Sequence, residues 1–95
     1  MNSPEIQEFI REQSHLFWYT PEDKKPEISH EFLVETILNY GDMEAVRKLF
    51  RLLGMEEISN IFYNLKGRKK LNYFPEVYNF LSLLVKQHAQ RNPNP

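Results

Sequence analysis

The stretch FLVETILNY-G-DMEAVRKLFRLL-G-MEEISNIFYNL, Phe32 to Leu65, is cut by Gly41 and Gly54 into three segments. Each segment repeats apolar side chains at i, i+3, i+4 and i+7, the spacing that lines one face of an α-helix. Each glycine falls where the pattern before it stops, so three short helices are predicted. Phe32, Leu33, Val34, Ile37, Leu38 and Tyr40 give the first a broad apolar face, as a central helix requires. Gly41 is expected to take the left-handed conformation beyond that helix's end, a common role of glycine there. Asp42 then caps the next helix. Its buried stripe is predicted as Met43, Val46, Leu49, Phe50 and Leu53, with Arg47, Lys48 and Arg51 on the other side and Glu44 pairing with Lys48. Gly54 repeats the stop, and the following helix is predicted to turn Met55, Ile58, Ile61, Phe62 and Leu65 inward. The two corners look alike at an offset of thirteen residues. Solenoid repeats span roughly 20 to 50 residues, so these are two similar helix-glycine-helix corners and not a repeat array.

Upstream, Ser3 and Pro4 make a helix start: a capping hydroxyl, then a proline whose missing N–H costs nothing in a first turn. Ile6, Phe9 and Ile10 form a narrow stripe, and the helix should run from about Pro4 to Ser14. Leu16-Phe17-Trp18-Tyr19 follows, then the proline-bounded, charged run Thr20 to Pro26, which reads as a loop with solvated charges. The aromatic cluster Phe17, Trp18 and Tyr19 has two readings. As a lid, its rings fold over one end of the core, as a small chain short of core volume favours. As a partner-binding surface, it is an anchor of the kind enriched at interface hot spots. Ser29 caps the central helix, with Ile28 and Leu33 at the two positions of a hydrophobic staple. Downstream, Lys66, Arg68, Lys69 and Lys70 form a basic loop. Leu71, Phe74, Val77, Tyr78, Leu81, Leu84, Val85 and His88 then mark one face of a long last helix. Pro75 belongs in its first turn, so its start is predicted near Asn72 to Phe74. Residues 91–95 read as a frayed tail.

The chain has 95 residues, 41% of them hydrophobic and 26% charged, which suits one modest core and excludes a disordered chain. It has no cysteine, so disulfides, thiolate-bound metals and thiol nucleophiles are out. No secretory leader is recognisable. The longest apolar runs fall far short of the ~20 residues of a membrane span, so a soluble, cytoplasmic protein with no membrane partner is the expectation. The net charge of −1 hides an asymmetry. Residues 1–65 carry 12 acidic and 6 basic side chains, residues 66–95 only 1 acidic and 6 basic. Such a field can orient a charged partner.

The chemistry-bearing residues do not assemble into a known constellation. His30-Glu31 opens like a metalloprotease helix, but the second histidine that motif needs four residues on is replaced by Val34. The one-turn pairs Glu8/Glu12 and Glu31/Glu35 fall on polar faces, where solvation keeps carboxylates ordinary. Three separated glycines make no phosphate loop, and no serine sits in a nucleophile elbow. No catalytic residue, metal site or cofactor is expected. Nucleic-acid binding stands as the alternative: Lys66, Arg68, Lys69 and Lys70 could neutralise phosphates, with Tyr73 nearby for stacking. The two helices after Gly41 are no helix-turn-helix, because the second begins with Glu56 and Glu57, where a recognition helix would meet phosphates.

Phe17-Trp18, then Phe32-Leu33-x-Glu35-x-Ile37-Leu38-x-Tyr40-Gly41-Asp42, then Leu53-Gly54-x-Glu56-Glu57-Ile58, then Asn79-Phe80 together resemble the pattern of a family of small, uncharacterised all-helical bacterial proteins, common in Bacteroidetes. Their genes often lie beside a nucleotidyltransferase-type toxin of the abortive-infection kind. The resemblance covers about Leu16 to Leu84. Tyr19 stands where the family tends to have an acid, and Leu81 where it tends to have a second tryptophan. The resemblance implies an antitoxin-like or accessory protein that acts by binding a partner, a toxin being one such partner, and it supplies no catalytic residues. The expectation is therefore an all-α chain, a compact bundle of about five helices in a single domain. Within it lie an N-terminal helix (1–15), an aromatic and proline loop (16–28), a helical core (29–90) and the tail (91–95). Its function is expected to be non-enzymatic protein–protein interaction.

Overall fold

The computed structural model describes residues 2–65 and 67–91, apart from the side chain of Arg68. Among them the chain is all-α: α1 (Pro4–Glu12), α2 (His30–Tyr40), α3 (Met43–Leu53), α4 (Met55–Tyr63) and α5 (Pro75–Arg91). Short 3₁₀ helices cover Ser14–Leu16, Glu22–Glu27 and Gly67–Asn72. The chain divides into two compact units, Met1–Leu52 and Leu53–Pro95.

In the first unit the helix starts follow the capping chemistry. The Ser3 hydroxyl accepts from the Ile6 amide, and the Ser29 hydroxyl accepts from Phe32 at 3.1 Å. The Asp42 carboxylate accepts from Ala45 at 2.8 Å. Each supplies a partner for an amide that the first helical turn leaves without one. The staple residues Ile28 and Leu33 are both buried. The core gathers Ile6, Phe9 and Ile10 of α1, Leu33, Val34, Ile37 and Leu38 of α2, and Ala45, Val46 and Leu49 of α3. Helix α1 packs on the 3₁₀ helix Glu22–Glu27, and α2 packs on Ser14–Leu16. A polar latch closes this arrangement. The Asn2 side-chain amide donates to the carbonyls of Pro26 (3.1 Å) and Ile28 (2.8 Å), and its own carbonyl oxygen lies 3.0 Å from His30 Nε2. Because the Asn2 amide faces two carbonyls, its oxygen is the acceptor and His30 Nε2 the donor.

The expected loop 16–28 is therefore more ordered than its prolines suggest, and its charges are not all solvated. Lys25 is buried, its ammonium held 2.6 Å from the exposed carboxylate of Glu22. A lysine can bury its aliphatic stem while the charged head reaches an exposed partner. Helix α1 also ends earlier than predicted, at Glu12, and passes into a 3₁₀ turn.

The two glycine corners differ. Gly41 is not left-handed: its φ of −80° and ψ of 166° are extended. Glycine is needed there for space, since a Cβ would lie 2.7 Å from the Ile37 carbonyl oxygen and 3.3 Å from the Ala45 Cβ. Gly54 has open space but a φ of 83°, which L-residues with side chains rarely adopt. Met43, expected inside, is exposed, because it occupies the first position after the Asp42 cap and the buried stripe runs through Ala45, Val46 and Leu49 instead.

In the second unit α4 packs on α5. Ile58, Leu65, Tyr73, Leu81 and Val85 are buried, and the rings of Phe62 and Tyr78 meet at 5.3 Å between centroids. The segment expected as a basic loop is in part the 3₁₀ helix Gly67–Asn72, and α5 starts at Pro75. Leu71 and Phe74 precede that start and are exposed, because helical spacing carries no meaning outside the helix. Arg91 is the last residue of α5; residues 92–95 of the expected tail lie outside the described residues. No helix among the described residues is long and apolar enough to cross a membrane.

Candidate interaction surface

The aromatic cluster is split by a turn. The Phe17 amide donates to Ser14 O and the Thr20 amide to Phe17 O, both at 2.9 Å. Phe17 enters the core, 1% exposed, and its ring meets Phe32 edge-on at 5.9 Å. Trp18 and Tyr19 occupy the two central positions of the turn that the Thr20–Phe17 bond closes. They are 68% and 78% exposed and stack on each other, with centroids 3.6 Å apart and planes inclined by 30°. The lid reading thus holds for Phe17 alone. Phe17 is a core residue; Trp18 and Tyr19 form an open two-ring platform, and Phe32, against which Phe17 packs, is itself 40% exposed. Stacking leaves each ring one covered face and holds both in a fixed pose, so a partner has less side-chain freedom to remove on docking.

The basic segment gives a thinner surface. Lys69 and Lys70 are exposed on the 3₁₀ helix Gly67–Asn72. Lys66 and the side chain of Arg68 lie outside the described residues. Tyr73, expected to stack on a base, is buried in the second unit's core, so its ring is not available for that.

Two open grooves run along α1 and α3 in the first unit. One, of about 320 Å³, is lined by Glu12, Gln13, Asp42, Glu44, Lys48 and Arg51. The other, of about 390 Å³, is lined by Pro4, Glu5, Glu8, Lys48 and Leu52. Lys48 stands in both. It reaches Glu12 on α1 at 2.7 Å, not Glu44 on its own helix, and its ammonium lies 5.9 Å from the centre of the Phe9 ring. That cation bridges α3 and α1 through a part-exposed ion pair. No thiol, histidine or serine lines either groove. Among the described residues no three of His, Cys, Asp and Glu are grouped to hold a metal ion.

The Glu31/Glu35 pair departs from the sequence expectation. Glu31 and Glu35 are half-buried, not fully solvated. Burial first, and then the neighbouring charge of Glu31, pushes the Glu35 carboxyl above its ordinary value. Glu35 lines neither groove, and His30 spends a ring nitrogen on the Asn2 latch. Sequence reasoning missed that latch because the partners of Asn2 lie 24 to 28 residues away.

No family model, no curated protein and no solved structure matches this chain.

Proposed function

We propose that this chain is a non-enzymatic protein-interaction module that docks through Trp18 and Tyr19, and that its partner is a toxin of the nucleotidyltransferase type, held in an antitoxin-like role. The observation that supports this reading is the exposed, stacked ring pair on a hydrogen-bonded turn. Water gains by releasing such a surface to a partner, and Trp and Tyr carry a disproportionate share of interface energy. The antitoxin-like part rests on the family resemblance of the motifs around Phe17-Trp18 and the two glycine corners.

The test is co-expression with the product of the adjoining gene, followed by size-exclusion chromatography and a growth assay. Co-elution, with growth restored, is expected. The double variant Trp18→Ala/Tyr19→Ala should weaken the complex by about 30-fold or more, the scale of a hot spot. Separate peaks with no rescue reject the toxin partnership.

A second reading is kept because Lys69 and Lys70 stand exposed together on one short helix. With Tyr73 buried, its ring adds no stacking to the phosphate contacts that these lysines offer. Binding to single-stranded nucleic acid would then fall steeply with salt as counterions are released, and Lys69→Ala/Lys70→Ala would abolish it. Salt-independent binding, or none, rejects this reading.

A further inference from the structure

Helix α5 has two seams at coiled-coil spacing. One faces inward through Tyr78, Leu81, Val85 and His88, with Leu81 and Val85 almost fully buried. The other runs through Glu76, Phe80, Leu83, Gln87 and Gln90, every one of them exposed. These five follow the 4-3-4-3 spacing that keeps side chains in line along a helix meeting a second helix. Phe80 and Leu83 sit at the centre of this outer seam, 42% and 62% exposed. Its ends differ in charge. Glu76 is the one acid of α5 and lies in the first turn, whereas Lys86 and Arg91 flank the seam toward the other end.

A seam with its acid at one end and its bases at the other is complementary to itself reversed. Centred between Phe80 and Leu83, an antiparallel pair of α5 helices sets Phe80 of each copy against Leu83 of the other. It sets Glu76 of each against Gln87 of the other, beside Lys86. The helix dipoles also oppose, each positive N-terminus near a negative C-terminus. A two-fold axis repeats every one of these contacts, as an isologous interface requires. We infer that the outer seam of α5 is a self-association surface, occupied by α5 of a second copy in an antiparallel two-fold dimer. This does not rest on the toxin partnership, because it uses none of the Trp18–Tyr19 platform.

The experiment is sedimentation equilibrium of the full chain across a wide concentration range, with circular dichroism to confirm that each variant is folded. The wild-type mass is expected to rise with concentration toward twice that of one chain. Leu83→Glu, an exposed substitution, should weaken association by at least about tenfold, as loss of a central interface contact does. Glu76→Lys alone should weaken it, and Glu76→Lys combined with Lys86→Glu should restore it. Trp18→Ala/Tyr19→Ala should leave it unchanged. A chain that stays monomeric at every concentration overturns the inference. So does a dimer indifferent to Leu83→Glu, or a charge reversal that the double variant fails to rescue.

Discussion

Asn2 and Glu35 show how a single polar side chain sets local stability in this chain. Asn2 spends both ends of its amide on groups from another part of the sequence, joining the N-terminus to Pro26, Ile28 and His30. Alanine there removes three side-chain hydrogen bonds and takes the Asn2 donor from the Ile28 carbonyl, while the Pro26 carbonyl keeps the backbone amide of residue 2 at 3.2 Å, a loss of about 1–2 kcal/mol. Urea unfolding of Asn2→Ala should show it as a lowered midpoint with an unchanged slope. Glu35 acts in the opposite sense. Its folded carboxyl holds its proton above the ordinary value of 4.5, because burial and then Glu31 disfavour the charge. The stability that the protonated form contributes is complete below that ordinary value and is lost as pH rises through the folded value. At neutral pH the ionised side chain therefore weakens the fold. Glu35→Gln is expected to be more stable than wild type at pH 7, with the advantage gone below about pH 4. Paired denaturation curves at the two pH values check this, and an advantage that persists in acid would contradict it.

Helix starts were legible in the chain because capping is local: Ser3, Ser29 and Asp42 each bond an amide three residues on. Helix stops were legible as positions but not as conformations. Gly41 and Gly54 end equally clear patterns, yet one answers a collision with the Ile37 carbonyl and the other a φ of 83°. Spacing marks where the helix breaks and is silent on which constraint selects glycine. Leu71 and Phe74 read as inward because apolar spacing continues across residues that lie ahead of Pro75 and outside α5, whereas Met43 belongs to α3 but stands at its exposed first position, ahead of the buried stripe of Ala45, Val46 and Leu49. Trp18 and Tyr19 were unreadable for a simpler reason: a ring adds to hydrophobic content wherever it points, and only the turn at 17–20 decides that it points out. Both glycine accounts can be checked by alanine substitution. Gly41→Ala should cost about 1–3 kcal/mol through crowding, and Gly54→Ala about the same through backbone strain. Thermal melts that find either substitution neutral would remove the reason given for that glycine.

Taken over its length, the chain distributes its core unevenly, and that unevenness predicts its dynamics. Among the described residues the first unit buries twelve apolar side chains, from Ile6 to Leu49, and the second only five, Ile58, Leu65, Tyr73, Leu81 and Val85. The longest helix, α5, contributes just Leu81 and Val85 to that set and leaves Phe80 and Leu83 open. Regions with fewer buried apolar contacts open at lower free energy than the rest of a fold. Native-state hydrogen exchange at low protein concentration should therefore find the slowest amides in α2, around Val34, Ile37 and Leu38. Amides of α5 should exchange at least about tenfold faster, because sub-global opening there needs less apolar surface to be wetted. Raising the concentration slows exchange in α5 while leaving α2 unchanged if the outer seam is covered by a second copy, since binding stabilises only the state it binds. Equal protection in the two helices at low concentration would mean that burial in the second unit is worth more per residue than its five positions suggest.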